Sequence, residues 1–216
     1  MNQTQRTTFK RNPVRGTHRQ EDILSILDSA FLCHVGFIVD GEARVLPTAF
    51  VRIGEAVYLH GHLRNQMLTA LLDGQMACVT VTQLDGLVLA RSGFHHSVNY
   101  RSVVVFGRAT EVAAEEKNAV LNALIDHMVP NRSAGVRPNS EQELNATLVI
   151  KIPIEEASAK IRTGPPVDLE ADYALDIWAG VANLKTVVSS IDNCPRLADA
   201  TIVPNHVIDF KETFSE

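Results

Sequence analysis

The stretch Glu55-Ala56-Val57-Tyr58-Leu59-His60-Gly61-His62-Leu63-Arg64-Asn65-Gln66-Met67-Leu68 decides how the chain is read. Its first half alternates, with Val57 and Leu59 on one side and Tyr58 and His60 on the other, as a half-buried strand does. Gly61 interrupts the alternation. Beyond it Leu63, Met67, Leu68, Leu71 and Leu72 recur at helical spacing until Asp73-Gly74 ends the run. The stretch therefore predicts a strand that enters a helix through a Gly-His turn, the helix opening with Arg64, Asn65 and Gln66. Unsatisfied backbone N–H groups and the dipole at a helix start favour an anion, and polar side chains in the first turn add donors. Two readings follow: a phosphate seat, or a strand–helix turn whose polar residues face water.

Upstream, Thr17 and Gln20 stand at capping-box spacing before the amphipathic series Ile23, Leu24, Ile26, Leu27 and Ala30. Residues 31–39 read as an apolar strand, Asp40-Gly41 as a hairpin turn and residues 44–52 as the return strand. Pro47 inside that strand marks an edge, or backbone left free for another partner. Downstream, residues 76–82 and 87–92 read as two strands about the turn Leu84-Asp85-Gly86. A polar loop over 93–99 leads to a long strand over 100–112. An amphipathic helix covers 113–129, a loop 130–140, a strand 146–152 and a helix 154–162. Seven strands joined mainly by short turns, with helices inserted singly, predict a mainly β fold with α: an antiparallel barrel with flanking helices. After Gly164 the signals thin to Pro165-Pro166, a turn at Trp178-Ala179-Gly180 and a strand over 185–191.

The 216 residues suffice for one domain with a C-terminal extension, and 45% apolar with 21% charged residues is ordinary globular composition. A net charge of −5 argues against a nucleic-acid surface. One region departs from that balance: before Glu21 the chain carries Arg6, Lys10, Arg11, Arg15 and Arg19 with no acid, a basic arm suited to a phosphate, an acidic neighbour or water. No apolar run reaches the roughly 18 residues that span a membrane, and no signal-peptide core is present. Cys33, Cys78 and Cys194 form no Cys-x-x-Cys pair; free thiols in apolar strands suit a reducing cytoplasm. The chain divides into the basic arm (1–20), a barrel domain (21–163) and the extension (164–216).

His60 with His62, and His95 with His96, are the histidine pairs. Metal ligation needs three or four convergent ligands, and no acid lies close in sequence apart from Glu55 and Asp85, so no metal site is predicted. His34, in an apolar strand, reads as a hydrogen-bonded core residue. Nucleophile-elbow, dinucleotide and Walker motifs are absent. Arg101-Ser102 opens the apolar strand segment 103–106; it is either an edge turned to solvent or a strand end aimed at a charged ligand of the sign the 60–66 turn would take. Trp178, the single Trp, is either core or the wall of an aromatic ligand site.

Three segments in order, Arg44-Val45-Leu46-Pro47-Thr48-Ala49-Phe50, Tyr58-Leu59-His60-Gly61 with its helix, and Asn99-Tyr100-Arg101-Ser102-Val103-Val104-Val105-Phe106-Gly107, resemble the pyridoxamine 5′-phosphate oxidase-like FMN-binding split-barrel proteins, and more closely their flavin-nucleotide-binding, nitroimidazole-resistance-like branch. Asp85-Gly86-Leu87-Val88-Leu89-Ala90-Arg91-Ser92 and Ala159-Lys160-Ile161-Arg162-Thr163-Gly164-Pro165-Pro166 fit the same branch. The resemblance implies a six-stranded antiparallel split barrel of Greek-key topology, a homodimer with FMN at the subunit interface, and a small-molecule substrate. Carried over by position, Val45, Leu46, Pro47 and Thr48 would lie along the flavin ring, Leu59 and His60 would flank the ribityl chain, and Arg64, Asn65 and Gln66 would hold the phosphate. Arg101 and Ser102 would reach the cofactor from a strand end, of the partner subunit if the site is shared. Trp178 would stand near the flavin, as part of an extension that completes the cofactor site. Many relatives have Ser-Arg where Asn65-Gln66 stands, and the Arg-x-His substrate signature of the oxidases is missing after Trp178, so oxidation of pyridoxamine phosphate is not expected. The resemblance implies a flavin oxidoreductase. The alternatives are a carrier of flavin or of haem, using His60 or His95 and His96, and a dimeric interaction barrel without cofactor.

Overall fold

Asp40 and Gly41 both take positive φ (55° and 79°), the turn whose twist matches its flanking strands, and they join β2 (Leu32–Val39) to β3 (Glu42–Ile53). From this hairpin the rest of the sheet grows. The computed structural model describes residues 3–198 and 200–214; the first two residues of the arm and residues 199, 215 and 216 of the extension lie outside it. In chain order the elements are β1 (Gly16–Thr17), α1 (Gln20–Asp28), β2, β3, β4 (Ala56–His62), α2 (Gln66–Leu72), β5 (Met76–Leu89), β6 (Ser97–Arg108), β7 (Thr110–Glu111), α3 (Ala114–Met128), α4 (Glu141–Ala146), β8 (Thr147–Pro153), β9 (Glu156–Arg162), β10 (Gly180–Asn183) and α5 (Asn205–Thr213).

One antiparallel sheet runs in the order β1-β9-β6-β5-β2-β3-β4-β8-β7, with β10 alongside β5, and it does not close into a continuous ladder. This is the split-barrel architecture expected. The main core collects one face of each long strand, including Val35, Phe37, Phe50, Leu59, Val79, Val105 and Ile150, together with Ile23 and Leu27 of α1 and Leu68 and Leu71 of α2. Each fully buried aliphatic side chain contributes about 1.5–3 kcal/mol of transfer free energy. A second, smaller cluster lies on the opposite face of the sheet. There α3 sets Val120 and Leu124 on Val51, Val112 and Val149. Where β6 passes β8 there is contact without a ladder. Gly107 permits it, because a Cβ there would stand 2.8 Å from Ile152 Cγ2 and 2.9 Å from the Pro153 carbonyl.

Several local expectations are corrected. The two strands expected over 76–92 are one, β5, which continues through Asp85-Gly86 with a bulge between Leu84 and Gly86; the seven strands of the sequence reading thus become six. Residues 154–162 form β9 rather than a helix: Ala157 and Ala159 are buried between strands, and pairing with β6 overrides the helix preference of small residues. The expected strand over 185–191 has no regular structure; the pairing segment is β10, and α4 and α5 were not anticipated. Thr17 makes no capping box, since its hydroxyl donates to Asp22 and accepts from the Arg19 N–H. Of the three free cysteines, Cys33 is buried and its desolvated thiol is pushed up to about 12, Cys78 is half-buried and Cys194 is exposed. No helix among the described residues is long and apolar enough to cross a membrane.

Candidate functional site

β4 accompanies β3 only from Ile53↔Ala56 to Phe50↔Leu59; β3 runs on to Glu42 and β4 to His62 without pairing to each other. Residues 42–49 therefore bond to β2 on one side and leave the other backbone edge without a strand. Pro47 lies inside this free-edged segment, as its residue type demands. Val45 is 64% and Leu46 46% exposed, and Pro47 is exposed too, an apolar strip where burial elsewhere in the sheet is the rule. Thr48 is half-buried, and its carbonyl takes the Cys33 thiol at 3.6 Å.

Facing this strip is the stretch from which the sequence reading set out, with its boundaries shifted. β4 continues through Gly61 to His62, and the helix begins only at Gln66. Gly61 is a close-approach position rather than a break: a Cβ there would meet Asn65 Nδ2 at 3.0 Å and Leu68 Cδ1 at 3.1 Å. Asn65 is the N-cap, its Oδ1 accepting the Leu68 N–H at 3.1 Å, so one of the free donors at the helix start is already satisfied. With seven residues and a side-chain cap, α2 is a weaker anion seat than the expectation required. The cationic character comes from side chains instead. Arg64 is exposed and pairs with no acid among the described residues. Arg44 reaches across from β3 to give its Nη1–H to Gln66 Oε1 at 2.7 Å. Arg44 lay within the quoted motif but was assigned no role, because strand alternation does not show which helix a strand end will meet.

The structure thus brings together Val45, Leu46, Pro47, Thr48, His60, Arg64, Asn65 and Gln66 at the parting of β3 and β4. Leu59 is wholly buried, so only its backbone can contribute. His60 lies opposite Val149 of β8; its Nδ1 is buried without a partner among the described residues, and burial pushes its pKa down, which favours the neutral imidazole.

Arg101, Ser102 and Trp178 lie elsewhere in the subunit. β5, β2 and β3 intervene between β6 and β4. Arg101 forms a two-point ion pair with Asp85 (Nε–Oδ2 3.0 Å, Nη2–Oδ1 2.8 Å), which holds its pKa above the ordinary guanidinium value. It lines a groove of about 630 Å³ between residues 28–32, the Asp85 bulge and the C-terminal segments at 184–186 and 213–214. Ser102 points to the opposite face of β6, as its neighbour in a strand must, and lines a hollow under the basic arm. Trp178 is 71% exposed and rests beside Gly180 at the start of β10; it is not core. Gly86 gives β10 room, since a Cβ there would meet Val181 Cγ1 at 3.0 Å.

One cluster was invisible in the sequence. His95, Asp168 and Asp172 place ligand-capable atoms within 4.8 Å of one another. Asp168 already accepts the Arg91 N–H and Nη1–H, each at 3.0 Å, and His95 Nδ1 bonds the Ser92 hydroxyl at 2.9 Å. Arg91 neutralises Asp168, and these contacts clasp the start of the extension to the β5–β6 connection. His96 Nδ1 bonds the Ser92 carbonyl at 2.9 Å.

Solved structures share this fold. No curated protein sequence matches the chain. Among solved structures, the flavocytochrome Anf3 from Azotobacter vinelandii is 38% identical, with 95% of this chain and 96% of that one covered at a TM-score of 0.91. The FAD and heme binding protein from Mycobacterium smegmatis is 35% identical over 91% of this chain and 97% of its own, with a TM-score of 0.88. A putative 5-nitroimidazole antibiotic resistance protein from Bacteroides thetaiotaomicron, 22% identical over 68% of this chain and 86% of that one, shares the fold at a TM-score of 0.57. The family described as pyridoxamine 5′-phosphate oxidase matches residues 19–161, from the end of the arm to the last strand of the barrel, and the chain belongs to that family.

Proposed function

We propose that this protein is a flavin-dependent oxidoreductase of a small molecule, acting as a homodimer in the cytoplasm. The observation that carries the reading is the free backbone edge of residues 42–49, set beside an exposed apolar strip and two arginines. A flavin nucleotide has a planar apolar ring, a polar pyrimidine edge and a phosphate, and this site offers a counterpart to each. Val45 and Pro47, which share a face of β3, would pack on the ring, with Leu46 contributing backbone; the unpaired backbone would bond the ring's polar edge, and Arg44, Arg64 and Gln66 would hold the phosphate. FMN is the nucleotide the family resemblance implies, and FAD is in the name of one of the two near relatives. Bound flavin supplies the electron chemistry, so the protein needs to contribute only position and electrostatics.

The dimer is supported by the outer faces of β2 and β3, where Leu32, Ile38 and Val45 stand exposed in a row of neighbouring strands. It would also bring the Arg101–Asp85 pair and Trp178 of one subunit to the flavin of the other, which a single subunit does not do. The three free thiols suit a reducing compartment.

A second reading, in which haem is held as well, is favoured by His206 and by the names of the two near relatives. The His206 Nε2 is buried without a hydrogen-bond partner among the described residues, and its ring helps line an aromatic hollow of about 320 Å³ with Phe31, His127, Phe210 and Phe214. His127 is less free, its Nε2 lying 2.7 Å from the Ala30 carbonyl. The absorption spectrum of protein purified from cells separates the readings. Flavin bands alone support the first and flavin bands with a Soret band support both. A colourless protein that takes up neither FMN nor FAD overturns the assignment.

A further inference from the structure

The outer face of β6 and β9 carries a charge problem that the barrel does not solve. Along β9 the residues facing away from the core are Glu156, Ser158, Lys160 and Arg162; across the ladder they meet Phe106, Val104, Ser102 and Tyr100. The basic arm is laid over this face by specific contacts. β1 pairs with Lys160 and Ala159. The Phe9 ring occupies the space beside Gly16, where a Cβ would come within 2.2 Å of it, and lies 5.6 Å from Lys160 Nζ. Arg6 is held by Glu156 (Nη2–Oε2 2.7 Å), which also accepts the Thr4 hydroxyl.

That leaves the cations. Glu156, the acid on this face, is committed to Arg6 and Thr4. Among the described residues, no carboxylate pairs with Arg11, Arg15, Lys160 or Arg162. Arg162 is only 8% exposed and donates to neutral oxygens, those of the Asn99 side chain and the Pro165 carbonyl. Burial, and then the nearby Arg15 guanidinium, pull its pKa below the ordinary value. A buried guanidinium beside another cation, with neutral partners only, is a costly arrangement for a structure to keep without a counter-charge. Two adjoining hollows open onto Arg11, Arg15 and Lys160: one of about 400 Å³ under the arm, and one of about 230 Å³ lined by Arg11, Asn12, Arg15, Tyr100 and Lys160. Arg11 and Lys160 line both.

We propose that the basic arm and the outer face of β6 and β9 form a binding site for the diphosphate of a nucleotide, with Arg11, Arg15 and Lys160 as its cations, the buried Arg162 guanidinium adding to their field, and Tyr100 and Phe9 beside the organic part. A diphosphate matches cations spread over two adjoining hollows better than one phosphate would, because charge-assisted bonds to separate phosphoryl groups satisfy them together. The larger hollow is by itself in the size range of small-ligand sites. The site is separate from the cations Arg44 and Arg64, and the charge argument for it is independent of the flavin assignment. The diphosphate is that of a free dinucleotide such as a reduced nicotinamide: in FAD the flavin-side phosphate is itself half of the diphosphate, and it cannot lie both here and at Arg44 and Arg64.

The test is calorimetric titration of the full-length protein with inorganic pyrophosphate at low salt. Saturable binding is expected, weakened about tenfold or more in the double variant Arg15→Gln/Lys160→Gln, since each lost charge-assisted contact is a large part of the affinity. Both residues are at least partly exposed. Pyrophosphate should also raise the thermal unfolding midpoint of the unaltered protein, a readout that needs no variant. Absence of saturable binding, or equal affinity in protein and variant, overturns the proposal. Repeating the titration on protein saturated with FMN and with FAD closes the test: binding that survives both is expected for a free-dinucleotide site, and binding blocked by FAD but not by FMN overturns it.

Discussion

The double variant Arg44→Ala/Arg64→Ala is expected to lose flavin affinity by roughly 100-fold or more, two charge-assisted contacts to a phosphate at about 1.5–3 kcal/mol each. The loss should leave the fold intact. Arg64 is exposed, and Arg44 is half-buried with a single neutral side-chain acceptor, Gln66, and a distant acid, Glu42 at 3.6 Å. Fluorescence titration with FMN and FAD reads the effect, with the unfolding midpoint as the control for folding. Unchanged affinity would move the phosphate away from the parting of β3 and β4. The companion variant Asn65→Ala tests the corrected boundary of α2. Asn65 serves as a helix cap, so its loss should cost about 1 kcal/mol of stability and change flavin affinity little.

Gly107→Val should be the most destabilising single change at a glycine of the barrel, costing about 3 kcal/mol or more by overpacking. In a chain of this size that lowers the unfolding midpoint by roughly 6–12 °C. The cause is local: the new side chain would have to displace Ile152 Cγ2 and the Pro153 backbone, where β6 packs on β8 without a ladder to guide it. Gly93→Ala is the matched control, because nothing lies within 4 Å of the Cβ it would add. Equal midpoints for the two variants would mean that β6 and β8 are not held at this distance, and the closure of the barrel would need another explanation.

The fold was legible where local chemistry and tertiary pairing agree. Asp40-Gly41 is a turn both by residue type and by φ, and the alternation survives: Val57 and Leu59 lie in the main core, Tyr58 packs on the α3 cluster and His60 is half-buried. It was not legible where the two disagree. Asp85-Gly86 has the composition of a turn, yet Asp85 is claimed by Arg101 across the ladder and Gly86 makes way for β10, so the strand continues through a bulge. Ala157-Ser158-Ala159 suits a helix in isolation and becomes β9 because β6 and β1 offer edges on either side. The Ser140–Glu143 capping box that starts α4 obeys a rule the sequence displays, and it went unread inside a segment rich in Pro and Arg.

At the site, the turn from His60 to Gln66 and the strip from Val45 to Thr48 could be found by motif, and the structure adds their juxtaposition and the role of Arg44. Period-two alternation alone could have separated Arg101 from Ser102. No local pattern could have shown that Asp85 neutralises Arg101, that Trp178 lies on the surface, or that His95 meets Asp168 and Asp172, since each depends on residues far apart in the chain.

The most direct measurement of the central claim is a flavin titration of the unaltered protein, stripped of any bound cofactor and followed by quenching of flavin fluorescence. Saturable binding of FMN or FAD at about one per chain, by a protein that elutes as a dimer, is the result the β3–β4 site predicts. Failure of both nucleotides to bind at saturating concentration would contradict it, and the exposed strip and its two arginines would then belong to a protein interface without a cofactor.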